Sequence, residues 1–176
     1  MHIDPQDEYE RLGGAYERFA RLLDAPDATL HRRAAAVSAW SPAQHLHHIL
    51  IANGMMLKGI ALICAGGSRI LPEGALNDDG RYVLTHEHFP RGRGQAPAPT
   101  RPPDAPSRED LRQGLARSRS RYEAASNLLP QVPGARGYLP HLFLGQLDAL
   151  QWLRLARVHS EHHLTIIDEI LAEETA

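Results

Sequence analysis

The most constraining stretch of this 176-residue chain is Asp148–Glu174, DALQWLRLARVHSEHHLTIIDEILAEE, its longest uninterrupted periodic segment. Trp152, Ala156, His159, His163, Ile166 and Ile170 recur at steps of four, three, four, three and four, the spacing of one helix face. Asp148 with Gln151 three residues on reads as a capping box, which marks the start. Two imidazoles therefore fall in the middle of a stripe that should face a core. Buried polar groups are costly unless something satisfies them. His159 and His163 need partners from elsewhere in the chain.

The rest of the sequence supplies three more long amphipathic segments. Asp4-Pro5 opens the first, whose face is Tyr9, Leu12, Tyr16, Phe19 and Leu23, and Ala25-Pro26-Asp27 ends it. Residues 28–39 are ambiguous, with room for a short helix before Trp40. Ser41-Pro42 opens the second, HLHHILIANGMMLKGIALICA, which stops at Gly66-Gly67. It is apolar on more than one side, the mark of a buried helix. Cys64 near its end reads as a small core residue. Ser107 opens the third, with Leu111, Leu115, Ser118, Tyr122, Ala125 and Leu129 on one face, Arg112, Arg117, Arg119 and Arg121 on the solvated side, and Pro130 as its stop. A second loop, QVPGARGYLPHLFLGQL, leads into the last helix, and no alternating strand pattern exceeds a few residues. The expected fold class is all-α: a four-helix bundle with a long irregular crossover loop, residues 66–106, between helices 2 and 3. That crossover is rich in glycine, proline and arginine (Arg81, Arg91, Arg93, Arg101). It reads as a solvated loop or as a lid over an acidic ligand.

Composition narrows the function classes. Hydrophobic residues make up 43% and charged residues 23%, with a formal net charge of -2. These values fit one globular domain over residues 1–176 and argue against nucleic acid as a partner, which usually demands a basic footprint. Cys64 is the only cysteine, residues 1–10 carry four acidic side chains and no apolar run, and the longest wholly apolar runs, such as Ile60–Ala65, are short. The expectation is a cytoplasmic protein with no membrane partner.

Histidine is the outlier, with 11 copies clustered at 45–48 and 159–163. His159 and His163 stand at i and i+4, one turn apart on one helix face, which lets two imidazoles chelate one cation. Ser160 occupies the position where zinc proteases carry their glutamate base, so that signature is absent. His45 or His48, three apart on the second helix, could supply a third ligand. Three protein ligands with an open fourth position is the pattern of catalytic zinc. His45, Glu161 and His162 are candidates for a general base or a partner behind the ligands. His86, Glu87 and His88 either reach over the mouth of the site or lie on the surface.

Two of these segments carry a family resemblance. Trp40-Ser41-Pro42-Ala43-Gln44-His45-Leu46-His47-His48-Ile49 resembles the W-S-x-x-E-x-L-x-H-x segment of the DinB-like superfamily of bacterial four-helix bundles. His159-Ser160-Glu161-His162-His163-Leu164 resembles the H-x-x-x-H-L of that family's last helix, and LFLGQLDALQW resembles the lead-in of one branch. The resemblance implies that His48, His159 and His163 hold one divalent metal, Zn or Ni. Gln44 departs from the common glutamate, and His45, His47 and His162 are additional. Relatives include metal-dependent hydrolases and thiol S-transferases that use low-molecular-weight thiols such as bacillithiol or mycothiol, so the resemblance implies a small-molecule substrate and a homodimer. The contrasting expectation is a non-enzymatic bundle whose histidines are hydrogen-bonded core residues and whose apolar helix face serves dimerisation.

Overall fold

Each long helix begins where a capping side chain meets a helix former. The structure, a computed structural model, describes residues 3–92 and 95–173; Arg93 and Glu174 lie outside the described residues. Helix α1 (Pro5–Leu23) starts at Pro5 with the Asp4 carboxylate accepting from the Gln6 amide at 2.9 Å. Helix α3 (Pro42–Ala65) follows a short α2 (Asp27–Leu30) that resolves the ambiguous 28–39 stretch. Ser41 and Gln44 close a reciprocal capping box on α3, and Asp148 and Gln151 do the same for α6 (Ala149–Ala172). Both helices that carry the histidine clusters therefore have their first turns fixed by side chains rather than left to fray. Ser107 caps α5 (Arg108–Ala125) through the Asp110 amide.

The protein is mostly helical, with one small sheet among the described residues. The expected irregular crossover is corrected in its middle, where α4 (Asp78–His86) is capped by the Asn77 side chain and buries Val83 and Leu84. Gly80 in its first turn and the glycine- and proline-rich flanks hide a helix of only nine residues from a periodicity argument. The loop before the last helix also holds an antiparallel hairpin, β1 (Leu139–His141) and β2 (Gly145–Leu147), with Leu139 opposite Leu147. Three-residue strands are too short to show alternation. Gly145 is required where it stands. Its φ is 89°, and a Cβ there would lie 2.6 Å from both the Ala75 carbonyl oxygen and the Asn77 nitrogen, where the hairpin packs on the lead-in to α4.

The four long helices pack in a ring: α3 on α6 and α5, and α1 on α6 and α5. Leu12, Tyr16 and Phe19 from α1 meet Leu46, Ile49 and Ile60 from α3 and Leu111 from α5, all fully buried or nearly so. Helix α3 is long and apolar enough to cross a membrane, but 61% of its most apolar window is buried inside the fold, which marks it as the core helix. A strongly charged region of the interior lies between α1, α4 and α6. There Glu8 accepts from Arg154 at 2.7 Å and from Arg157 at 2.7 Å, and Arg157 also reaches Glu87 at 2.6 Å and Glu161 at 2.8 Å. Burial alone would lower the Arg157 pKa, but the hydrogen bonds it donates to three carboxylates hold it above its usual value.

Candidate metal centre

The α3–α6 packing brings the two histidine clusters face to face. His48 Nε2 lies 3.1 Å from His159 Nε2, and His163 Nε2 lies 3.2 Å from the same atom. Ring nitrogens of His48, His159 and His163 all lie within 4.8 Å of one another. The i, i+4 spacing on α6 supplies two of the rings and the second turn of α3, one turn past the Ser41 cap, supplies the third. Zinc–imidazole bonds of ~2.0–2.1 Å with tetrahedral angles would separate two ligand nitrogens by roughly 3.3 Å, close to the two separations here.

The hydrogen-bond arrangement behind these atoms fits a cation. His48 Nδ1 donates to the Thr100 carbonyl oxygen at 2.9 Å, which leaves Nε2 bare and turned toward the other two rings. Burial first, and then neighbouring histidines, depress the pKa of His159 and His163 well below 6.5. His48 is also lowered, by burial more than the Thr100 bond raises it. The trio is therefore neutral at pH 7, the state that ligates metals. His159 Nδ1 is buried with no hydrogen-bond partner among the described residues. Without a cation, a proton on His159 Nε2 can bridge to one neighbour. If His159 were to hold a cation through Nε2, its proton would have to be carried on Nδ1. The donor set is three borderline nitrogens with no thiolate or carboxylate, which suits a divalent transition metal over Mg or Ca.

The other candidates fall into separate positions. His45 is 3% exposed and stands behind His163, its Nδ1 2.9 Å from His163 Nδ1. It is not among the three converging nitrogens, although residue spacing alone leaves it level with His48. Glu161 is engaged by Arg157 and by Arg11 at 3.2 Å. His162, half-buried, faces the Phe89 ring at 5.4 Å, and its pKa is pushed down to about 4 by burial and then by Arg91. His47 is half-buried on α3 outside the trio, and burial lowers its pKa more than nearby Asp110 raises it. His86 lies against Tyr82 on the exposed side of α4.

Two contributors, the Thr100 carbonyl and Phe89, carry no signal in the sequence, whereas Trp40 opens one of the family-like segments. The Thr100 contact is made by a backbone carbonyl, so any residue could supply it. Phe89 stands 5.8 Å from the His159 ring, and Trp40 stands 5.2 Å from His48 and 6.4 Å from His163, so aromatic walls flank the trio on both sides. Phe89 follows directly on the 86–88 segment; its neighbour two residues back, Glu87, adopts a left-handed φ of 52° and is held by Arg157. Gln44 explains its own departure from glutamate. Its Oε1 accepts from the Ser41 amide, as glutamate would, but its Nε2 donates to the Pro103 carbonyl at 3.1 Å. A carboxylate has no hydrogen to give there.

The family model of the DinB superfamily matches residues 11–167, which takes in both histidine clusters. The chain belongs to the DinB superfamily. No curated protein and no solved structure matches it. For a DinB protein, the geometry of the His48, His159 and His163 cluster is compatible with binding a divalent metal.

Proposed function

We propose that this DinB protein is a metal-dependent enzyme in which His48, His159 and His163 hold Zn or Ni and leave an open coordination position. The observation that carries the reading is the meeting of three neutral Nε2 atoms from two helices at 3.1 and 3.2 Å. When bound, a divalent ion supplies Lewis acidity and can generate a nucleophile at neutral pH. The chain's own residues do the rest. Thr100 fixes the His48 ring, Trp40 and Phe89 exclude water from two sides, and His162 beside Phe89 is the candidate proton carrier. The substrate class is a small molecule, with hydrolysis and transfer of a low-molecular-weight thiol as the two chemistries. The ring of contacts among α1, α3, α5 and α6 supports a four-helix bundle as its frame. We place it in the cytoplasm as a homodimer.

A second reading is a non-enzymatic metal-binding or interaction bundle. It is favoured by the outward side of α3, where Met55 and Leu62 are 53% and 36% exposed, an apolar face on which two copies could meet.

Metal content of protein made without a His-tag or nickel column tests the central claim. About one equivalent of Zn or Ni, lost in His48→Ala, His159→Ala and His163→Ala, is expected. Metal-free protein whose melting temperature ignores added Zn or Ni would refute it. Rates of thiol conjugation to an electrophile, with and without bacillithiol, then separate the transferase from the hydrolase. Metal-loaded protein active in neither assay would favour the second reading.

A further inference from the structure

The hydrogen-bonded chain does not stop at His163. His45 Nδ1 faces His163 Nδ1 at 2.9 Å, and His45 Nε2 faces the Ser38 hydroxyl at 3.0 Å. The Trp40 amide donates to the same Ser38 oxygen at 3.1 Å. Ser38 is held by the tight 34–38 turn, where its own amide donates to the Ala34 carbonyl at 2.9 Å. His45 is 3% exposed and the Trp40 ring covers it at 5.3 Å, so water has little access to the chain.

Such a chain can run in two directions, because each neutral imidazole carries one N–H. In one, Ser38 donates to His45 Nε2, His45 Nδ1–H donates to His163 Nδ1, and the His163 proton is forced onto Nε2. In the other, His163 Nδ1–H donates to His45 Nδ1 and His45 Nε2–H donates to Ser38. Only the second leaves His163 Nε2 bare. The Trp40 amide fills one lone pair of Ser38 and turns its side chain toward His45, and the second lone pair is free to accept.

We infer that His45 is a positioning residue: with Ser38 as terminal acceptor, it holds the His163 proton on Nδ1 and so keeps His163 Nε2 bare for the metal. The inference rests on the reading of His163 as a ligand. Partners that orient a metal-bound histidine are usually carboxylates or backbone carbonyls. Here His48 has a carbonyl, from Thr100, whereas His163 has a neutral imidazole.

The test uses Zn as probe on the full chain. Zinc affinity is measured by competition with a chromophoric chelator for wild type, His45→Phe, His45→Asn and Ser38→Ala. Long-range 1H–15N NMR correlations read the His163 tautomer. His45→Phe removes the acceptor and should still bind one zinc, but roughly 10–100-fold more weakly. His45→Asn returns an acceptor oxygen near the Nδ1 position and should recover most of the loss, and Ser38→Ala should fall between. Wild-type zinc protein should show His163 protonated at Nδ1, and metal-free His45→Phe should show a population protonated at Nε2. Unchanged affinity in folded His45→Phe, or a wild-type zinc form in which His163 Nδ1 is bare, overturns the inference. The wild-type spectrum decides the matter even if His45→Phe does not fold. Retention of zinc by His163→Ala would instead sink the reading of His163 as a ligand.

Discussion

Replacing Arg157 by methionine tests the buried charge network that sits half a turn from His159. Arg157 is fully buried, and its Nε and Nη2 serve Glu8 at 2.7 and 3.2 Å. Methionine fills much of the volume of the hydrocarbon stem but brings no charge, so the Glu8 carboxylate, 1% exposed, keeps only Arg154. Breaking a buried ion pair by removing one partner costs roughly 3–5 kcal/mol. The retained Arg154 bond puts this case at the lower end, about 3 kcal/mol. Glu87 and Glu161 are 31% and 38% exposed and keep Arg11 nearby, so screening makes their share small. For a domain of this size each kcal/mol moves the melting temperature by roughly 2–4 °C, which gives a fall of about 6–12 °C. Thermal and urea unfolding followed by circular dichroism, both in chelator so that metal binding does not contribute, read the effect. A second substitution, Glu8→Gln, neutralises the stranded carboxylate and should return at least half of the loss. An Arg157→Met protein within about 1 kcal/mol of wild type, or a double variant no better than the single, would refute the reasoning.

Two further outcomes are expected. Metal-free protein should lose stability as pH falls from 6.5. These buried or half-buried imidazoles stay neutral in the fold, with His45 pushed down to about 3 and His141 and His162 to about 4, each chiefly by desolvation, while the unfolded chain takes up protons near the usual value. Their contribution is therefore complete above pH 6.5 and shrinks down to those folded values. Each buried ring should cost roughly 1–1.5 kcal/mol per pH unit in that window, and a flat urea midpoint between pH 7 and 5 would contradict it. Gln44→Glu should keep the α3 cap but lose the bond to Pro103, at about 1 kcal/mol. Faster exchange of the Ala98, Thr100 and Arg101 amides, with that over α3 unchanged, is the sign to look for.

The sequence revealed the parts of this protein that rest on periodicity. The stripe from Trp152 to Ile170 and the caps at Asp148 and Ser41 lie where pattern places them, because amphipathic spacing and capping chemistry are local. The ranking of His45 against His48 was not local. Both sit near the same face of α3, and only the angle at which α3 meets α6 puts His48 Nε2 against His159 and His45 behind His163. The middle of the crossover was opaque for another reason. Helix α4 is short and holds a glycine in its first turn, and it is secured by partners remote in sequence, such as the Arg154 guanidinium on the Leu84 carbonyl at 3.0 Å. The Glu8–Arg157 network was hidden too, since an acid on α1 and a base on α6 read separately as surface charges until packing buries them together.

The histidine trio joins two points far apart along the chain. His48 and His159 are 111 residues apart, and closing a loop of that length is among the larger entropic costs of organising the α3–α6 interface. On the proposed reading, an ion seated between them acts as a removable cross-link over most of the polypeptide. Binding to the native state alone stabilises it by about 4 kcal/mol when free metal is 1,000 times the dissociation constant. The fraction of chains that are folded, and so the amount that escapes proteolysis, would then follow the supply of metal as well as the temperature.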